Sequence, residues 1–208
     1  GWHESRVPQL TGDAPPAALE FLQKKIKAQA TAGPTEERRR GSARSSASND
    51  KFTYSALHDP VTGLYNHTAF DMLLKDADQG HIAVLVADID DFKSIQEAGC
   101  DLADRVIRRV GTVLRNSFRS VDFVCRVSAE EFVIIMTRVN SSMRKLIFDK
   151  ITQVNETLSS AEDDLPPISL SVGVAFADRE NPQGDILHDA DTALYRMKEV
   201  KRCGCAIY

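Results

Sequence analysis

Apolar and polar positions along the chain fall into two kinds of segment. Ile82 to Ala87 is an unbroken apolar run ending in Asp88-Ile89-Asp90-Asp91-Phe92-Lys93, the pattern of a strand covered on both faces. The spacing predicts that strand over His81 to Asp88. Val121, Phe123 and Cys125 alternate with polar neighbours up to Arg126, and Phe132 to Met136 is again continuously apolar, so two strands flank a short connection. The predicted turn of this hairpin falls near Ser128-Ala129, which puts Glu130 and Glu131 at a loop tip held by a rigid sheet, where functional residues often sit. Ile168 to Phe176 alternates into a further strand, and Cys205 to Tyr208 suits a last short one.

Helical spacing appears between the strands. Thr68 to Lys75 reads as a helix start after the turn Thr62-Gly63-Leu64-Tyr65-Asn66. A helix beginning at Asp101 carries Leu102, Val106, Ile107, Val110, Val113 and Leu114 on one face; Ser141 to Leu158 does so with Met143, Leu146, Ile147, Ile151 and Val154; Gly184 to Lys198 makes another. Strands separated by helices, with a hairpin in the middle, predict an α/β sandwich containing a mixed or antiparallel sheet.

The first fifty residues follow neither pattern well. Ala17 to Ala30 has a short amphipathic stretch, and Thr31 to Asn49 is rich in Gly, Pro, Ser, Ala and Arg, with Arg38-Arg39-Arg40 read as a solvated part of a linker. Residues 1–51 are therefore expected to be an appendage and flexible linker, and residues 52–208 one domain. At 208 residues and 42% hydrophobic composition the chain can bury one good core. A net charge of −4 gives it no general attraction to nucleic acid or to anionic membrane. No apolar run reaches the roughly 18 residues of a membrane span, and no signal peptide is visible. The four cysteines lack the paired spacing of a zinc site, and free thiols fit a cytoplasmic location.

Two acidic groups carry the candidate chemistry. A buried strand that ends in Asp88-Ile89-Asp90 throws both acids to one side by its pleat. Hard carboxylate oxygens of this kind suit Mg²⁺ rather than zinc. Glu130 and Glu131 are the second group. Their turn is unusual in sequence, because tight hairpins favour Gly or Asn at positive φ and Ser-Ala would bring a Cβ penalty there.

Five stretches together resemble the GGDEF domains, the diguanylate cyclase family that joins two GTP molecules into cyclic di-GMP and pyrophosphate. They are D-P-V-T-G-L-Y-N from Asp59, D-I-D-D-F-K from Asp88, R-S-V-D-F-V-C-R-V-S-A-E-E-F from Arg119, S-V-G-V-A from Ser171 and A-D-T-A-L-Y-R-M-K-E-V-K-R from Ala190. The resemblance implies a nucleotidyl-cyclase-like fold with a ferredoxin-like palm core, a central five-stranded mixed sheet flanked by helices. It implies metal ligation by Asp88, Glu130 and the main chain at Ile89, with Glu131 as the second catalytic acid beside Glu130. It also implies nucleotide contacts at Phe92, Lys93, Gln96, Asp104, Ser128, Ala129, Lys198 and Arg202, and an inhibitory cyclic di-GMP site at Arg119 and Asp122. Mg²⁺ is the implied cofactor. Catalysis would require two such domains facing each other, hence a homodimer.

The departures from the pattern lie mostly on the guanine side. Ser128-Ala129 replaces the usual Gly-Gly, Gln96 the usual Asn and Glu97 the Asp after it; the loop before Gly99 is one residue short, Cys100 replaces a His and Ala103 a Gly. A site built to hydrogen-bond a base loses strongly when its polar groups are displaced. Two readings follow from the resemblance. One is a degenerate GGDEF domain acting as a nucleotide-responsive receptor for cyclic di-GMP at the R-x-x-D site. The other is an active diguanylate cyclase that tolerates the changes.

Overall fold

The computed structural model describes residues 54–77, 80–160, 164–200 and 203–208. The expected appendage at 1–51, its amphipathic stretch and Arg202 lie outside the described residues. The elements in chain order are α1 (His67–Asp76), β1 (Ile82–Ile89), α2 (Phe92–Ala98), α3 (Cys100–Ser117), β2 (Phe123–Arg126), β3 (Glu131–Thr137), a 3-10 turn (Ser141–Met143), α4 (Arg144–Ser159), β4 (Leu170–Phe176), α5 (Ile186–Val200) and β5 (Gly204–Ile207).

The strands form one five-stranded sheet in the order β2-β3-β1-β4-β5. All neighbours are antiparallel except β4 and β5, which are parallel, so the sheet is mixed, as expected. β1 is central and buried at every position, because its two faces feed two separate cores. Ala83, Leu85, Ala87 and Ile89 pack with Val106, Val110 and Leu114 of α3 and Ile147 and Ile151 of α4. Ile82, Val84 and Val86 pack on the other side with Phe70 and Leu73 of α1 and Ala190 and Leu194 of α5. Each large side chain so buried contributes about 1.5–3 kcal/mol.

Local signals set the helix ends. The Asn66 side chain accepts from the Ala69 main-chain N–H at 3.0 Å and caps α1. Arg109 of α3 donates to the Thr157 and Ser160 carbonyls at 3.1 and 3.2 Å, which satisfies open carbonyls at the end of α4. α5 lies very close to β4: a Cβ at Gly173 would fall 2.1 Å from the Ala190 carbonyl oxygen and 2.3 Å from the Leu194 nitrogen. The glycine of S-V-G-V-A is therefore a packing requirement between helix and strand.

Three expectations change. The apolar side of α4 is Ile147, Ile151, Val154 and Leu158 with Asn155, while Met143 and Leu146 are exposed at 36% and 55%. Met143 belongs to the preceding 3-10 turn, and Leu146 is rotated off the stripe that faces the sheet. Phe92, expected beside phosphate, opens the short helix α2 and is a core residue at 2% exposure. Ser128 and Ala129 are absent from the described residues with positive φ, so the penalty expected of their turn does not arise.

Candidate functional site

The sheet brings the distant acids together at one end. Asp88, near the end of β1, lies opposite Glu131 of β3 on one side and Ser171 of β4 on the other. The Ile89 N–H donates to the Glu130 carbonyl at 3.2 Å, which fixes the end of the hairpin loop against β1. The Lys198 ammonium, in the last turn of α5, sits 2.8 Å from Asp88 Oδ1, with side-chain exposures of 40% and 11%. Partial burial is the largest cause pushing the Glu130 carboxyl above the usual range; the charge of Asp88 adds to it, Lys198 opposes it, and Glu131 adds further. Asp88, Glu130, Glu131 and Lys198 thus form one electrostatic group.

Asp90 does not join it. Its N–H donates to the Ser169 carbonyl at 3.0 Å, and its carboxylate accepts the Ser169 and Ser171 hydroxyls, both at 2.6 Å. Ser171 Oγ in turn accepts from the Cys203 N–H at 3.1 Å. The two acids of D-x-D thus part: Asp88 pairs with Lys198, whereas Asp90 lies past the strand's last residue and joins β1 to β4 and the start of β5.

The hairpin loop is closed by Val127 and Ser128 N–H groups donating to the Glu131 carbonyl at 3.0 and 3.4 Å, and Ser128 Oγ donates to Glu131 Oε2 at 3.3 Å. Behind it, Arg126 donates to the Ala129 carbonyl at 2.9 Å and pairs with Asp59 at 2.9 Å, the two side chains being 11% and 13% exposed. Asp59 also accepts from the Thr62 N–H and hydroxyl, both at 2.7 Å. The D-P-V-T-G turn is thus wired through Arg126 to the loop that presents the acids. Sequence reasoning missed Asp59 and Arg126 as positioning residues, although both lie in the matched stretches.

At the far edge of the hairpin, Arg119 and Asp122 face each other. Arg119 Nε and Nη2 donate to the two Asp122 oxygens at 3.0 and 2.8 Å, and Asp122 also accepts from the Arg119 and Thr137 N–H groups, both at 3.1 Å. The Asp122 side chain is fully buried and that of Arg119 is 48% exposed. This pair raises the Arg119 guanidinium above its ordinary value through hydrogen bonding to Asp122.

A family model described as "Diguanylate cyclase, GGDEF domain" matches residues 56–203. The chain belongs to the GGDEF domain family. It is 28% identical over 155 residues to the diguanylate cyclase DgcS of Shewanella oneidensis, a match covering 71% of this chain and 51% of that protein. It therefore spans about half the length of that relative. The crystal structure of the coiled coil and GGDEF domain of DgcB from Caulobacter crescentus in complex with c-di-GMP superposes with a TM-score of 0.68 at 24% identity, over 92% of this chain and 100% of that one. The DgcB GGDEF domain alone, also in complex with c-di-GMP, gives 0.63 at 26% identity over 82% and 98%.

In this GGDEF domain the remaining expected nucleotide contacts are spread over α2, α3 and the hairpin loop. Lys93 is exposed and lies 3.9 Å from Glu97 one turn on. Gln96 is exposed on α2, and Asp104 is exposed on α3, 4.0 Å from Arg108. Phe92 offers a ligand only its main chain, since its side chain is in the core. Ser128 and Ala129 are exposed at the loop tip.

Among the described residues no three His, Cys, Asp or Glu side chains converge for a metal. Two carboxylates are nonetheless the set that suits Mg²⁺, which keeps several waters and takes one or two protein carboxylates together with phosphate oxygens. Asp88, which already carries the Lys198 ammonium, and Glu130 beside it are carboxylates of that chemistry.

Proposed function

We propose that this GGDEF domain works in cyclic di-GMP signalling as a nucleotide-responsive receptor module, with Arg119 as the main contact for cyclic di-GMP. The observation that carries the reading is the Arg119–Asp122 pair. A buried acid bonded by four N–H contacts, with the Thr137 carbonyl accepting from Nη2 at 2.7 Å, holds a half-exposed guanidinium in one orientation; Nε and Nη2 are spent on those partners, and the fixed cation presents Nη1 to phosphate or guanine acceptors. The c-di-GMP complex of the 26%-identical DgcB domain supports the same ligand class.

A second reading, an active diguanylate cyclase, is favoured by a different observation. Asp88, Glu130, Glu131 and Lys198 are grouped at one end of the sheet, and the Ser128-Ala129 turn needs no positive φ. Asp88, Glu130 and the main chain at Ile89 would hold Mg²⁺, which when bound offsets triphosphate charge and acidifies a hydroxyl nucleophile. Lys198, Lys93 and Arg202 would bind phosphates, and Gln96 and Asp104 would read guanine. Residues 52–208 would act as the functional domain, as a homodimer when catalytic.

Isothermal titration separates the two readings. Cyclic di-GMP binding that falls at least tenfold in Arg119→Lys, with the melting temperature of that variant unchanged, supports the receptor. Binding that is indifferent to the substitution rejects it. Mg²⁺-dependent pyrophosphate release from GTP, abolished by Glu131→Gln, would establish the cyclase instead.

A further inference from the structure

We propose that Lys198 is a placeholder cation. In the nucleotide-free domain its ammonium occupies the Asp88 carboxylate, so a divalent ion gains Asp88 only by displacing it, and the displaced lysine is then free for phosphate. The inference rests on the reading of Asp88 as a metal ligand.

The contact is 2.8 Å, and its two partners differ in freedom. Asp88 is held in register with Glu131 and Ser171 in the middle of the sheet, and its side chain is only 11% exposed. Lys198 stands in the last turn of α5 with its side chain 40% exposed on a flexible four-carbon stem. The helix beneath it is seated firmly, since Ala190 and Leu194 of α5 lie against Gly173. Any exchange at Asp88 therefore moves the lysine head and leaves both main chains in place.

Without a cation, Asp88 and Glu130 would be two acids sharing a partly buried place. Lys198 offsets that charge in the absence of ligand. A tethered ammonium also acts at high effective concentration and weakens binding of a free ion to the same oxygen. A triphosphate offers Lys198 another anion and so removes the competitor as it arrives. Metal and nucleotide are then bound in favour of one another, and each raises the other's affinity by the same factor.

The test is titration of the nucleotide-free protein with Mn²⁺, read by electron paramagnetic resonance of the free ion. Lys198→Met is expected to bind Mn²⁺ about two- to tenfold tighter than wild type, the range for loss of a competing ion pair with one partly buried partner. Lys198→Arg, which keeps a cation on Asp88, is expected to show no tightening, and Asp88→Asn is expected to lose the site. A lysine that merely supported the fold would weaken binding when removed. Unchanged or weaker Mn²⁺ binding in Lys198→Met, still dependent on Asp88, overturns the placeholder role while the metal reading stands. Equal tightening in Lys198→Met and Lys198→Arg also overturns it. Absence of Mn²⁺ binding in every variant overturns the metal reading and this inference together.

Discussion

A single buried carboxylate shows how a motif read as a ligand contact can first serve the fold. Asp122 is fully buried and takes two of its four hydrogen bonds from the Arg119 side chain. Arg119→Ala leaves that charge half satisfied, and the expected cost is about 1–3 kcal/mol, measured as a lower urea midpoint at unchanged m-value. Loss of cyclic di-GMP binding in that variant must therefore be compared with Arg119→Lys. Glu130 carries the opposite signature. Its carboxyl is raised by burial first and then by Asp88, so the folded state resists its ionisation. The contribution is absent at pH values below the unfolded value near 4.5, grows unfavourable as pH rises from there, and reaches its full size above the folded value. Glu130→Gln should consequently raise the melting temperature in EDTA at pH 7, with the gain shrinking towards zero near pH 4. An equal gain at both pH values would disprove this origin. The sequence announced both glutamates through their place after a turn, but which acid is strained depends on neighbours far along the chain.

Helix and turn positions decide whether these residues meet. Gly173→Ala places a Cβ against the main chain of α5, and no side-chain rotation relieves it. We expect a loss of at least about 3 kcal/mol, at the upper end of overpacking costs, together with tighter Mn²⁺ binding at Asp88, because α5 carries the competing Lys198. Near-wild-type stability would mean that the helix can shift without cost. The Asp59–Arg126 pair tests the other support of the site. Its partners are both nearly buried, so Arg126→Met should cost about 3 kcal/mol in thermal or urea unfolding and release the Ala129 carbonyl. A more protease-sensitive hairpin loop is the accompanying sign. These supports were only partly legible beforehand. The matched stretches named Gly173 and Asp59 without saying what each touched, since a glycine requirement comes from an approaching helix and an ion pair from a partner sixty-odd positions away.

At the scale of the whole molecule, the cyclase reading requires two sites to face each other. Under that reading, pyrophosphate release should rise more than in proportion to protein concentration until dimers saturate; strict proportionality at all concentrations would exclude assembly of the site from two weakly associating copies. The alternation of apolar runs and helical stripes was sufficient by itself to determine an α/β fold with a mixed or antiparallel sheet, because periods of 2 and 3.6 are local properties that a chain carries before it folds. It also determined the chemical types available: hard oxygen ligands, cations on a late helix and an Arg-Asp pair. Only the tertiary structure decided how each was used. Asp88 faces Lys198, whereas Asp90 is bound by two serines; Phe92 goes to the core; Asp122 is already taken by Arg119; Ser128 and Ala129 avoid positive φ. Those outcomes depend on which distant side chain reaches a group first and how completely it removes that group from water, and neither is a property of any local stretch of sequence.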